Sequence, residues 1–409
     1  MGFPSNEQLT RVYGESTVSG ERFQTLAKEF ETEFNASSEA FFTSPGRTEI
    51  IGNHTDHNGG QVIAGSVTMD TIGAASKNGT KIIRIKSQGY NKVFEIDIQR
   101  AKTVKKCAGT TSLIAGMVVG LQGIGYKVDG FDVCISSSVL RSAGMSSSAS
   151  FEMLVLTIVN AFFNDNKMTF EEMAKIGQFS ENVYWQKGSG LMDQMACAVG
   201  GPILLDFSKK DNIYQKLNFS FANIGHDMVI VNTGKGHADL SEEYSAVPNE
   251  MKKVAAALGV TLLAQTNQET LLAEHDKIED DRAFLRALHF FTENDRVKDC
   301  ADAMTVGDGQ KVLDAITASG RSSYDWLQNC YLGDAPHEQK ITRTLALTEL
   351  FLAKHKCGAC RVHGGGFAGV IVCIVPHDLT QMYIDYIEQF TGKESAHALN
   401  VRLVGATQI

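Results

Sequence analysis

Three short stretches carry most of the polar chemistry of the chain. Between Gly46 and Gly60 the sequence GRTEIIGNHTDHNGG brings together Arg47, the carboxylates of Glu49 and Asp56, and the imidazoles of His54 and His57. Such a density of donors and acceptors in a glycine-rich loop suits a polyhydroxylated ligand, whose hydroxyls need both kinds of partner. A metal site through His54, Asp56 and His57 is the weaker reading, since adjacent polar loop residues more often satisfy turns or ligand hydroxyls. No protein-only metal site is assigned.

The second stretch, Ala143-Gly144-Met145-Ser146-Ser147-Ser148-Ala149, precedes the apolar run FEMLVLTIVNAFF. Small residues at a helix start let backbone N–H groups approach an anion, and the helix dipole favours negative charge there. The serine hydroxyls can add hydrogen bonds or reach a Mg²⁺ ion shared with nucleotide phosphates. A serine-rich turn that merely caps a core helix has the same sequence, and the loop alone does not separate the two readings. In the third stretch, Gly188-Ser189-Gly190-Leu191-Met192-Asp193-Gln194-Met195, one carboxylate sits in apolar company. Arg47 can hold Asp193 ionised and able to orient or accept the proton of a hydroxyl. The alternative is that Asp193 caps a helix.

Two familiar nucleotide motifs are absent. No Gly-Lys-Ser/Thr follows the serine loop, so it is not a Walker loop. Gly364, Gly366 and Gly369 fit G-x-G-x-x-G, but an apolar strand follows them where a dinucleotide fold needs a helix.

These stretches need elements to hold them. The order strand, small-residue loop, buried helix is predicted from the alternating Phe131 to Ser136, the serine loop and the helix after it. A helical stretch to about Phe34 precedes several short strands between Val62 and Ile96, and Thr111 to Gly125 is predicted as a helix ending in glycines. Strands are predicted at Pro202 to Phe207 and Met228 to Asn232. Helices follow from Glu242 to about Lys354, broken at Asn294-Asp295 and at Gly307 to Gly309, then a glycine turn and an apolar strand stopped by Pro376. The boundary between two halves falls near residues 207 to 227, giving domains 1–210 and 211–409.

With 409 residues, 43% hydrophobic and 21% charged, the chain can bury a core for two domains. Its net charge of −9 opposes non-specific binding to nucleic acid or anionic membranes, so a small anionic ligand needs a specific cradle. The eight cysteines sit in mostly apolar contexts, as free thiols of a reducing cytoplasm do. Cys357 and Cys360 form a CxxC without the second pair a structural zinc needs. No leader or membrane span is predicted, and no protein partner is assigned.

In order along the chain, these segments resemble the galactokinases of the GHMP small-molecule kinase superfamily. Gly46 to Gly60 resembles the sugar-binding signature, the serine loop the phosphate-binding second motif, Gly190 to Gln194 the loop of the catalytic aspartate, and VHGGGFAG the glycine-rich third motif. The resemblance implies an α+β fold of two domains, S5-like and then ferredoxin-like, with ATP and sugar in the cleft between them. It implies ATP-dependent phosphorylation of the anomeric C1 hydroxyl of galactose, with Asp193 as the base or orienting carboxylate and Arg47 beside it. It assigns Ser148 and Glu181 to Mg²⁺, residues 143 to 149 to the triphosphate, and Asn53, His54, Asp56, Gly190 and Tyr244 to the sugar.

Several positions depart from that family. Asn53 stands where Glu is usual, near the sugar's C6 hydroxyl; His57 replaces Tyr, and Glu49 replaces Asn. A neutral amide at position 53 removes a repulsion against a C6 carboxylate, and a protonated His57 would attract one, so galacturonate or a galactose modified at C6 or C2 is an alternative substrate. Leu140, Ser142 and Ala368 depart within the nucleotide motifs but keep small residues where the backbone must approach. Ser245 to Pro248 lacks the usual Asn-x-Arg-Arg. A non-catalytic galactose and ATP sensor on the same fold is the alternative of a different class, and it would have no need of Arg47, Asp193 and Glu181 together.

Overall fold

The computed structural model describes residues 3–140, 144–211, 213–234 and 240–409. Its strands are β1 (Ala40–Ile51), β2 (Gln61–Lys77), β3 (Ile82–Ser87), β4 (Val93–Asp97), β5 (Phe131–Ser137), β6 (Pro202–Asp206), β7 (Tyr214–Lys216), β8 (His226–Asn232), β9 (Ala359–His363), β10 (Val370–Pro376), β11 (Ala396–Leu399) and β12 (Thr407–Gln408). Eight of them form one sheet in the order β12-β1-β2-β5-β3-β4, with β6 and β7 continuing from β2. Only the β3–β5 pairing in it is parallel. The other four form an antiparallel sheet ordered β11-β8-β10-β9.

The long strand β1 replaces one sequence expectation. Gly46 to Ile51 is not loop but the end of β1, so Arg47 and Glu49 are fixed by a ladder with bulges at Pro45/Arg47 and Glu49/Ile51. The several strands expected between Val62 and Ile96 are β2, β3 and β4, the first of them longer than anticipated. In β5 the alternation anticipates a half-buried strand, yet Phe131 to Ile135 are all buried. The far face is covered by the helices Asn6–Tyr13 and Thr17–Phe34, whose Leu9, Phe23, Leu26 and Phe30 pack on Phe41, Ile72 and Cys134. Asp132 tolerates that burial because Arg84 meets both its oxygens, at 2.7 and 2.5 Å.

On the near face, the helix Ser147–Phe163 is enclosed by apolar neighbours, as its nearly all-apolar sequence demands. In the second sheet, Val370, Val372 and Ile374 of β10 face the helices Asp281–Val306 and Gly309–Ser322. Ile371, Cys373 and Val375 face the helices Lys340–His355 and Thr380–Thr391. A strand covered on both faces must be continuously apolar. Asp281–Val306 runs unbroken through Asn294-Asp295; Glu293 there accepts from Gly52 after β1 and Asn294 from Gln61 at the start of β2, which makes that stretch part of the site's frame.

Ile50, Ile63 and Met145 from the first sheet's half share a core with Met304 and Val372 from the second. We propose domains at 1–210 and 211–409, with two strands from beyond residue 210, β7 and β12, hydrogen-bonded into the first sheet. The returning tail is tied down at Asp70, which is fully buried. It accepts from Tyr13 and Thr43 at 2.7 Å each, from Arg22 at 2.7 Å and from Arg402 at 3.2 Å.

Burial pushes the Asp70 carboxyl up, but Arg22 and Arg402 outweigh it and hold it below the usual carboxylate range. A depressed folded-state pKa adds stability that is present above the unfolded value of about 3.9 and disappears as pH falls through the folded one. Asp70→Asn should therefore lower the melting temperature at pH 7 by roughly 5 °C or more. The gap to the unaltered protein should narrow below about pH 4; thermal melts across that range check both statements.

Candidate active site

Two of the three polar stretches line one cavity of about 940 Å³ between the two halves, with Arg47, Asp56, Lys187, Gly190, Asp193 and Tyr244 among its residues, and the serine loop is joined to it through the Arg47 contact to Gly144. A second cavity of about 830 Å³ lies between the helix Lys340–His355 and β9 and contains none of the sequence-derived sugar or nucleotide residues.

At the centre, Arg47 on β1 grips Asp193 with two parallel bonds, Nε to Oδ1 at 2.6 Å and Nη2 to Oδ2 at 2.7 Å. Asp193 is in the first turn of the helix Met192–Val199, and Arg47 Nη1 also donates to the Gly144 carbonyl of the serine loop. One guanidinium thus touches both the candidate acid and the candidate phosphate cradle. Burial alone would push the Asp193 carboxyl up; Arg47, with a further hydrogen bond from Ser146, holds it below the ordinary range. The fork geometry explains why a lysine would not serve here.

The serine loop enters the helix Ser147–Phe163 through Ser146, held at φ 49°, with no side chain capping the helix start. Its first-turn N–H groups are therefore left for another partner. Gly144 has φ 66°, and a Cβ there would stand 2.9 Å from His363 Nδ1, so the position requires glycine twice over. Ala143 lies outside the described residues. Met145 and Ala149 are buried, and Ser147 and Ser148 are partly exposed.

Glu181 lies in the wide turn Ser180–Trp185 and is almost fully buried. Its Oε2 accepts from Gln194 at 3.3 Å, and the same amide donates to Glu152 Oε2 at 3.1 Å. Burial, and then the neighbouring Glu181, push the Glu152 carboxyl well up. Ser148 Oγ and Glu181 Oε1 lie 3.3 and 2.9 Å from one and the same cation, the Lys187 ammonium, and so are within reach of a single positive ion. Among the described residues no group of three or more His, Cys, Asp or Glu could hold a metal unaided. A divalent ion here would complete its shell with water or nucleotide oxygens.

The sugar-binding candidates are held from behind. Glu293 of the helix Asp281–Val306 accepts from the backbone of Gly52 and Asn53 at 3.1 and 3.4 Å; His289 Nε2 meets Asn53 O at 2.9 Å, and Asn294 accepts from Gln61 N at 2.7 Å. Burial would raise the Glu293 carboxyl, but His289, Arg296 and Arg361 bring it down to about 2. His54, at φ 61°, points Nε2 at Gly365 O, 2.8 Å away. Burial, then His57, lowers it to about 3, so it is neutral with Nε2–H donating and a buried Nδ1 acceptor that has no partner among the described residues. Asp56 packs so tightly on Gly190 that a Cβ there would lie 2.5 Å from Oδ2. Tyr244 donates to Gly366 O at 2.8 Å, docking the third motif onto the helix Ser241–Ala257.

Asn53 departs from the role read for it. Both amide hydrogens are taken, by Glu49 Oε1 at 3.0 Å and Gly364 O at 2.7 Å, and Oδ1 accepts from Asn329 at 2.7 Å. Its amide is a wall of the cavity with its hydrogen bonds spent on protein. Glu49 in turn meets Arg361 of β9 at 2.8 Å, a pair hidden from solvent. The carboxylate nearest the Asn53 amide, four residues back in the chain, is thus an ion pair under the site. Sequence reasoning missed Arg361, Glu152 and Lys187; the one available signal was that Glu152 follows Ser148 by one helical turn.

The chain matches known proteins in both sequence and fold. Residues 28–77 match the galactokinase galactose-binding signature, and residues 103–201 match the N-terminal domain of GHMP kinases. The galactokinase of Lactococcus lactis subsp. lactis is 31% identical over 365 residues, covering 86% of this chain and 87% of that protein. The chain belongs to the galactokinase family. Within that family, the enzyme of Clostridium perfringens strain 13 is 34% identical over 293 residues, 68% of this chain and 73% of its own. The crystal structure of Lactococcus lactis galactokinase complexed with galactose superposes with a TM-score of 0.81 at 28% identity, covering 96% of this chain and all of that one. Methanococcus jannaschii mevalonate kinase, with a TM-score of 0.63 at 17% identity over 90% of this chain and 99% of its own, shares the fold. The α+β GHMP kinase fold expected from the motifs is the one observed, and family membership makes the chain an ATP-using sugar kinase.

Arg361→Met takes the ion-pair partner from a Glu49 carboxyl that burial already pushes up, and should cost about 3–5 kcal/mol of unfolding free energy. Adding Glu49→Gln in the same chain removes the stranded carboxyl and should restore part of it. Urea unfolding of the two variants tests this, and equal losses would mean the ion pair is not what Arg361 contributes.

Proposed function

We propose that the enzyme transfers the γ-phosphoryl group of ATP to the C1 hydroxyl of galactose, giving galactose 1-phosphate and ADP, with Arg47 and Asp193 as its catalytic pair. The observation that carries this reading is the two-pronged Arg47–Asp193 contact, made by a guanidinium that also reaches the serine loop. A carboxylate held below its ordinary range is a weak base at rest. Asp193 would therefore fix the direction of the C1 hydroxyl and take its proton only as the oxygen–phosphorus bond forms and acidifies it. Arg47 keeps that carboxylate charged and stands where negative charge gathers on the transferring group.

Nucleotide phosphates would sit on the N–H groups that begin the helix Ser147–Phe163, which lack an internal partner. Ser148 and Glu181 would hold Mg²⁺ together with those phosphates; when bound, the ion supplies charge neutralisation. His54 Nδ1, Asp56, the Gly190 backbone and Tyr244 are the sugar-facing candidates, with Asn53 shaping the wall behind them. Galactose and ATP are the only partners this mechanism requires. The free thiols of all eight cysteines support a reducing, cytoplasmic setting.

A second substrate reading rests on the Glu49–Asn53 exchange. With the Glu49 carboxylate compensated by Arg361 and a neutral amide at the Asn53 wall, no uncompensated carboxylate stands at that wall to repel a C6 carboxylate. On that reading galacturonate is accepted alongside galactose. ADP-release assays on both sugars separate the two readings: turnover of galactose alone removes the uronate, and turnover of neither removes both. Asp193→Asn should keep the fold by circular dichroism and lower kcat by about 10²–10⁴-fold, the usual range for a proton-handling group; a near-normal rate would mean that the pair is misassigned.

A further inference from the structure

Lys187 has no part in the scheme above, yet its ammonium is held at three points. The wide turn Ser180–Trp185 is followed by Gln186 at φ 63°, and Lys187 N donates to Glu181 O at 3.0 Å, so the chain doubles back and lays the lysine over the turn it has just left. Nζ lies 2.9 Å from Glu181 Oε1, 3.3 Å from Ser148 Oγ and 5.3 Å from the centre of the Trp185 ring. The Glu181 side chain is 1% exposed and that of Lys187 is 46% exposed, so a mobile cation reaches in from solvent to a fixed, buried anion. Among the described ion pairs, Lys187 is the only cation on Glu181. A buried carboxylate without one would be costly.

The two oxygens that Lys187 joins are the pair assigned above to the divalent ion, and this inference rests on that assignment. We propose that Lys187 is the resident cation of this seat in the nucleotide-free enzyme: it compensates Glu181, excludes a free divalent ion, and yields the seat only when nucleotide phosphates arrive with one. Two cations cannot share so small a space without the added negative charge of the phosphates. The lysine can leave, because its side chain is half in water and the Gly188-Ser189-Gly190 segment follows it. The enzyme would accordingly take up its metal as the nucleotide complex and not bind the ion first.

Mn²⁺ is a usable probe, since its free form is counted directly by electron paramagnetic resonance. Nucleotide-free protein should bind Mn²⁺ only weakly. Lys187→Met should gain one saturable site at least about fivefold tighter, a change of roughly 1 kcal/mol. Lys187→Gln should repeat the gain, Lys187→Arg should not, and Glu181→Gln added to Lys187→Met should abolish it. Equal Mn²⁺ affinity in the unaltered and Lys187→Met proteins would overturn the proposal, as would a gained site indifferent to Glu181→Gln. The spectrum of enzyme-bound Mn²⁺·ATP tests the underlying assignment separately. If Glu181→Gln leaves it unchanged, Glu181 is no ligand and both statements fail; if it changes while Lys187→Met has no effect without nucleotide, only the role of Lys187 fails.

Discussion

A single guanidinium in a bidentate grip on a carboxylate organises this protein. Arg47 comes from the end of β1, Asp193 from the first turn of Met192–Val199, and the Gly144 carbonyl from the loop that opens Ser147–Phe163. Bringing those three elements to one point requires β1 to be pinned on both sides and its bulges to aim Arg47 away from the ladder. It also requires the Asp193 charge to be compensated at once, because an unpaired carboxylate at that depth would take up a proton and lose its use. The charge of the acid and the shape of the fold are therefore the same constraint.

Around that pair the structure spends its buried charges on positioning. Glu293, His289 and Asn294, on one helix of the second half, hold the loop after β1 from behind. Arg361 reaches from β9 to Glu49 on β1, and Tyr244 docks the glycine turn that follows β9. All but the Tyr244 contact join the two halves of the chain, and the halves' shared core at Ile50, Met145 and Val372 keeps them from sliding. A hydroxyl and a phosphorus atom brought together by such a cleft gain from orientation more than from any covalent help.

Much of this was legible in the residues. The order of strand, small-residue loop and apolar helix located the serine cradle, and the isolated charge of Asp193 among methionines announced a paired acid. What composition and spacing hid was anything set by distant contact. The burial of both faces of β5 depended on helices more than ninety residues earlier in the chain. The resemblance assigned Asn53 to the sugar, and only the positions of Glu49, Gly364 and Asn329 show its hydrogen bonds already taken. Glu49 looked like one more loop carboxylate until Arg361, 312 residues away in sequence, came to lie against it. Asn294-Asp295 looked like a helix break because intrinsic propensity was weighed without the loop that Asn294 holds.

The most direct test of the whole account is a crystal structure of the enzyme with galactose and a non-hydrolysable MgATP analogue. The sugar's C1 oxygen should lie within hydrogen-bonding distance of Asp193 and about 3–3.5 Å from the γ-phosphorus, in line with the bond to be broken. A sugar bound with C1 turned away from Asp193, or a γ-phosphorus well out of reach of it, would contradict the account.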